Sequence, residues 1–272
     1  MNGGKHNLKA LLAAVGISFW LAMAGGVSAG PSSNRIVGGD VADPADWPFV
    51  AALVTRDGSH VCGGSVVAKD AVVTAAHCVL GTSPKQIRVV TGRPDLTDES
   101  AGQELRIAEV TVHQQYQRTF RRDVAVLRLE RPTVAPRVRL PTVEEDEAET
   151  APGSELRVAG WGGTRADGGK PSDVLLDVSV FAISDSECRT YFKFFRAGEE
   201  VCAFGEPQGE ERYDDSCYGD SGGPLVADSR RGVLLMGLVS YGGRLCGVKK
   251  PGVYAQVSAN LHFIKRKAGI RR

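Results

Sequence analysis

From residue 36 to 143 the chain alternates short apolar, β-branched runs with turn residues. The runs cover 49–54, 64–67, 71–74, 87–91, 105–112 and 124–129. Segments of this length, rich in Val, Ile and Thr and bounded by Gly, Asp and Pro, predict strands of an all-β unit. The same texture returns over 155–159, 175–182, 223–226, 233–240 and 252–256. Between the two sets lies Glu144-Glu145-Asp146-Glu147-Ala148-Glu149, flanked by Pro141 and Pro152, which reads as a solvated linker. Only residues 258–267 carry a helical pattern, with Ser258 placed to cap it and Leu261 and Ile264 on one face. With 33 glycines, the pattern fits two barrel-like sheets better than any α/β arrangement.

The first thirty residues have a different texture. Lys5 and Lys9 precede an apolar run over 10–24, and Val27 and Ala29 supply the small residues that a signal peptidase reads. Residues 1–29 are therefore expected to be a signal peptide, since an apolar run of about fifteen residues is short of the roughly 20 that span a bilayer. A secreted, extracellular protein without stable membrane association follows. Lys and Arg total 33 against 32 Asp and Glu, scattered along the chain, so the charge gives no reason to expect a nucleic-acid partner. The basic end, Lys265-Arg266-Lys267 through Arg271-Arg272, reads as a solvated tail. In an exported chain, six cysteines read first as disulfides, and they allow 15 pairings among which the sequence does not choose. No Cys-x-x-Cys pair and no EF-hand ligand run is present, so neither a metal nor a cofactor is expected.

Candidate chemistry concentrates in Gly219-Asp220-Ser221-Gly222-Gly223-Pro224, where a serine between glycines can present its hydroxyl to a carbonyl. A serine hydroxyl is a weak nucleophile near neutrality and needs a base with an orienting carboxylate. His77, in Thr74-Ala75-Ala76-His77-Cys78, and Asp123, heading Asp123-Val124-Ala125-Val126, are the candidates. With this order of His, Asp and Ser, the chain resembles the trypsin-like serine proteases of the chymotrypsin family, secreted bacterial trypsins in particular, over residue 36 to about 268.

The resemblance implies two six-stranded antiparallel β-barrels packed across a catalytic cleft, over about 36–143 and 153–257, followed by a helix over about 258–268. It implies His77 as general base, Asp123 as its orienting carboxylate, Ser221 as nucleophile, and the amides of Gly219 and Ser221 as the oxyanion hole. Six residues, 30–35, would form a propeptide removed by cleavage after Arg35, freeing an Ile36 ammonium to pair with Asp220. Asp215 and Ser216 would form the floor of a pocket for Arg or Lys, with Gly242 and Gly252 as open walls and Ser240 and Gly242 pairing with the substrate backbone. Cys62–Cys78, Cys188–Cys202 and Cys217–Cys246 would be the disulfides.

Implied partners are protein or peptide substrates, an activating trypsin-like protease or the enzyme itself, and protein protease inhibitors. The expected state is a monomer. Two rival readings are a catalytically silent relative that uses its cleft for binding, which the intact triad and pocket argue against, and a processing protease of narrow specificity. Tyr241 and Tyr218 depart from the usual family residues, Trp in the first case. The acidic stretch 204–214 is longer than in simple relatives and reads as a tolerated surface loop. His60, His113 and His262 read as structural, and His6 falls in the signal.

Overall fold

Six strands built on the first set of apolar runs close on themselves: β1 (Val50–Thr55), β2 (His60–Ala68), β3 (Ala71–Thr74), β4 (Ile87–Thr91), β5 (Gln103–Val112) and β6 (Ala125–Leu129). In this computed structural model, which describes residue 1 and residues 37–271, they form an antiparallel barrel in the order β1-β2-β3-β6-β5-β4. The expected leader, propeptide and Arg35–Ile36 junction lie outside the described residues. A second barrel comprises β7 (Glu155–Gly160), β8 (Leu176–Ala182), β9 (Glu200–Gly205), β10 (Pro224–Ser229), β11 (Gly232–Tyr241) and β12 (Gly252–Gln256). Its order, β7-β8-β9-β12-β11-β10 with β7 and β8 also paired, repeats that of the first.

Side-chain alternation sorts the cores. In β8, Leu176, Val178, Val180 and Ala182 are buried while the residues between them are half-buried, the period-2 signature of a strand with one inward face. Leu53, Val66, Val72, Leu105 and Leu127 fill the first barrel; Leu156, Leu176, Leu225, Leu234 and Met236 fill the second. A third cluster, including Trp47, Val126, Trp161, Leu238 and Ile264, draws on both barrels and the C-terminal helix. That explains why β1 is buried along nearly its whole length, since its outer face also meets apolar side chains. Each such fully buried side chain contributes about 1.5–3 kcal/mol, so the cores outweigh the roughly 3 kcal/mol expected of a single disulfide. All three expected disulfides are present.

Three differences from the sequence reading have clear causes. The acidic segment read as a solvated linker is helix α2 (Val143–Glu149), started by a capping box in which Thr142 and Glu145 bond each other's backbone amides. Its acidic first turn suits the positive end of the helix dipole. Asp146 within it is buried and accepts a hydrogen bond from Gln256 Nε2. Second, the C-terminal helix is a 3-10 turn (Ser258–Asn260) followed by Leu261–Lys267, and Asn260, not Ser258, sits at the N-cap of the α-helical part, without a side-chain cap bond. Third, β9 was not anticipated, because its apolar core is only Val201-Cys202-Ala203 between two glutamates and Phe204. Two further short helices are α1 (Gln114–Thr119) and α3 (Asp185–Tyr191). Among the described residues no helix is long and apolar enough to cross a membrane.

Candidate active site

Register alone brings His77 and Asp123 together. Strands β3 and β6 pair with Thr74 opposite Ala125; His77 lies three residues beyond one end of that pair and Asp123 two residues before the other. His77 stands in a single 3-10 turn (Ala76–Cys78), whose Cys78 is bonded to Cys62 on β2. Asp123 Oδ1 accepts from the His77 backbone amide at 2.9 Å, and Oδ2 lies 2.7 Å from His77 Nδ1. A third donor comes from the other barrel: Ser240 Oγ, on β11, reaches Asp123 Oδ2 at 2.6 Å. With Nδ1 donating to the carboxylate, Nε2 of the neutral imidazole is left as an acceptor.

Ser221 sits on a turn whose shape requires glycine. Gly219 has φ of 101°, and a Cβ there would lie 3.1 Å from Gly162 Cα. Gly222 donates to Val239 O at 2.8 Å, and the Ser221 carbonyl accepts from Gly63 N at 2.7 Å. The serine is thereby tied to β2 one residue from Cys62, whose disulfide partner adjoins His77. A Cβ on Gly63 would come within 2.8 Å of Gly223 Cα, so two glycine backbones touch where the barrels meet.

Asp220 is fully buried and accepts from Gly162 N and Cys217 N, both at 2.8 Å. Burial pushes its carboxyl up to about 6. Side chains at Gly160 or Gly162 would strike this carboxylate, so those glycines make room for it.

Beside Ser221 opens a cavity of about 370 Å³ lined by Asp215, Ser216, Ser221, Ser240, Gly242 and Gly252 among others. Asp215 is buried in its wall, with Oδ2 accepting from Gly247 N at 3.2 Å and Ser216 Oγ at 3.4 Å from Oδ1. Burial raises this carboxyl to about 7. A Cβ at Gly252 would stand 2.9 Å from Asp215 Oδ1, whereas one at Gly242 would meet nothing closer than 3.7 Å. Gly252 thus leaves the carboxylate uncovered. One group of metal-type ligands comes together among the described residues, Cys62, His77 and Cys78, and the bond between its two sulfurs removes both thiolates.

A family model described as Trypsin matches residues 36–264. The chain belongs to the trypsin family. It is 40% identical over 225 residues to a protein named Trypsin from Saccharopolyspora erythraea, covering 82% of this chain and 94% of that one. It is also 35% identical over 247 residues to Trypsin 5G1 of Aedes aegypti, covering 88% and 87% of the two chains. A serine protease of this family is consistent with the two barrels, and the structure adds contacts that sequence reasoning missed. Ser240 was expected only to offer its backbone; its hydroxyl also holds Asp123. The stretch 204–214 is more than a free surface loop: Pro207 pairs with Tyr213, Arg212 with Val248, and Lys249 Nζ with Glu211 at 2.8 Å. It therefore braces the segment that supplies Gly247 N to Asp215. Tyr241, in place of the family's usual Trp, donates its hydroxyl to Glu200 at 3.0 Å. His60 is half-buried beside Trp161 with both ring nitrogens shielded from water, and this desolvation pulls its pKa down to about 4, while His113 caps a short helix by accepting from Gln115 N. Arg35 and Ile36 lie outside the described residues.

Proposed function

We propose that this chain is a secreted trypsin-like endopeptidase, made as a zymogen, that hydrolyses peptide bonds after Arg or Lys through an acyl-enzyme. The observation that carries the specificity is the buried Asp215 carboxylate in the wall of a cavity that also borders Ser221. A charge-assisted hydrogen bond to a guanidinium or ammonium contributes about 1.5–3 kcal/mol, and an apolar side chain would leave the carboxylate unpaired.

In the proposed reaction, Ser221 Oγ attacks the scissile carbonyl carbon as its proton passes to His77 Nε2. The carbonyl oxygen gains the negative charge, facing the amides of Gly219 and Ser221. His77 then gives the proton to the leaving amine nitrogen, the C–N bond breaks, and an ester on Ser221 remains. Water repeats the sequence, returning the acid product and the free hydroxyl. The bonds from Asp123 to His77 support this assignment, because they hold the imidazole with Nε2 as the acceptor.

Residues 1–29 would direct export and 30–35 would keep the protein silent until cleavage after Arg35. The Ile36 ammonium would then pair with Asp220, whose burial makes a lone charge costly. The antiparallel contact of Val37 with Asp215 supports this, since it lays the start of the domain against the pocket. The test is direct. Purified protein is assayed before and after trypsin treatment and repurification, on Arg, Lys and Phe chromogenic peptides. Hydrolysis of the Arg and Lys peptides should appear only after treatment; full activity of the uncut chain, or a preference for Phe, would overturn the reading.

A further inference from the structure

The loop that delivers Asp123 is held in an unfavourable shape. Between the helix Gln114–Thr119 and Asp123, both Phe120 and Arg122 adopt positive φ, 55° and 58°. Neither is glycine, and conformations of this kind persist only where surrounding contacts impose them. Those contacts come from the opposite barrel and from the C-terminal segment that follows it. Arg121 directs Nε, at 3.0 Å, and Nη2 to the two carboxylate oxygens of Glu199 in a forked pair. Arg122 places Nη2 at 3.7 Å from the same carboxylate and donates Nη1 to the carbonyl of Ala259.

Glu199 is itself anchored. It is buried, its amide donates to Arg196 O at 3.0 Å, and its carbonyl accepts from Gln256 N at 2.9 Å at the β9–β12 edge. Two consecutive arginines beside Asp123 are thus fastened to Glu199, on the barrel that carries Ser221 and Ser240, and to the 3-10 turn that follows β12. A forked guanidinium–carboxylate pair sets geometry as well as charge balance.

We infer that Glu199 is a positioning residue for the reaction: through Arg121 and Arg122 it fixes Asp123, and with it the His77 imidazole, relative to Ser221 across the groove. The inference rests on the triad reading proposed above. Glu199 touches neither His77 nor Ser221, so its effect falls on how well the base is aimed and not on how substrate is held.

The test uses the activated full-length enzyme and an Arg chromogenic peptide. Glu199→Gln, which keeps the shape but not the charge, should lower kcat about tenfold or more while KM stays within about twofold. Reversing the pair in Arg121→Glu with Glu199→Arg should recover part of that loss. Arg157→Gln is the control, because it breaks a charge cluster with Asp46, Asp177 and Asp228 remote from Asp123. It should leave kcat unchanged at a comparable loss of thermal stability. Should Glu199→Gln fail to fold, Arg121→Gln, which leaves Arg122 beside Glu199, should show the same kcat-selective loss at about threefold. The inference is overturned if kcat is unchanged in the folded variant, if KM alone rises, or if Arg157→Gln loses as much kcat. A Ser221→Ala enzyme that still hydrolyses the peptide removes the triad reading and the clasp together. A silent Ser221→Ala beside a fully active Glu199→Gln removes only the clasp.

Discussion

Asp215 is the residue on which the proposed specificity turns, and its environment makes that specificity depend on pH. Burial raises its carboxyl from an ordinary 3.8 to about 7. Between those values the unfolded chain ionises and the folded one does not, so its contribution to stability, complete below 3.8, is lost as pH rises to about 7. A substrate guanidinium favours the ionised form and reverses the balance: below about 7, binding must expel a proton. The ratio of kcat/KM for an Arg peptide to that for a Phe peptide should therefore fall as pH drops through about 7, approaching tenfold per unit. Taking the ratio cancels every ionisation common to both substrates. A ratio flat from pH 8 to 5 would show that Asp215 does not meet the substrate charge. The candidates His77 and Ser221 stand out in the sequence because their neighbours, Ala-Ala-His-Cys and Gly-Asp-Ser-Gly, are local strings, whereas Asp215 is reached only through the resemblance, from its place six residues before Ser221. The second duties of Ser240 and Glu199 could not be read there, because each joins residues far apart in the chain, 117 apart for Ser240 and Asp123.

At the scale of elements, the apolar runs located eleven of the twelve barrel strands, and the exception is instructive. β9 carries Val201, Cys202 and Ala203 inside an acidic and aromatic setting, and its place is secured by pairing with β8 and β12, not by its own pattern. Helix α2 was hidden for the opposite reason. Its glutamates and aspartate read as solvated charge, while the signal that starts it, Thr142 with Glu145 three residues on, is a short capping box. Removing the cap with Thr142→Ala should cost about 1 kcal/mol, or about 2–4 °C in Tm for a domain of this size, and leave kcat/KM unchanged. Thermal denaturation with a parallel assay checks both. A loss of activity would mean that α2 reports to the groove through Asp146 and Gln256.

For the molecule as a whole, two barrels of the same strand order meet along a glycine contact, Gly63 on Gly223, and the groove chemistry is divided between them. One side supplies His77 and Asp123, the other Ser221, Ser240 and the Asp215 pocket. The repeat of strand-forming texture was visible in the sequence. Closure of each sheet and the register that sets Thr74 opposite Ala125 were not, since both depend on hydrogen bonds between distant segments. The account depends most on the buried Asp215 carboxyl beside that groove, and one variant addresses it. After activation, Asp215→Ser should react with a small acylating inhibitor of Ser221 to the same titre as the unaltered enzyme, yet lose its preference for Arg and Lys over Phe peptides by about a hundredfold or more. An undiminished preference for basic residues in a fully titratable Asp215→Ser enzyme would contradict it.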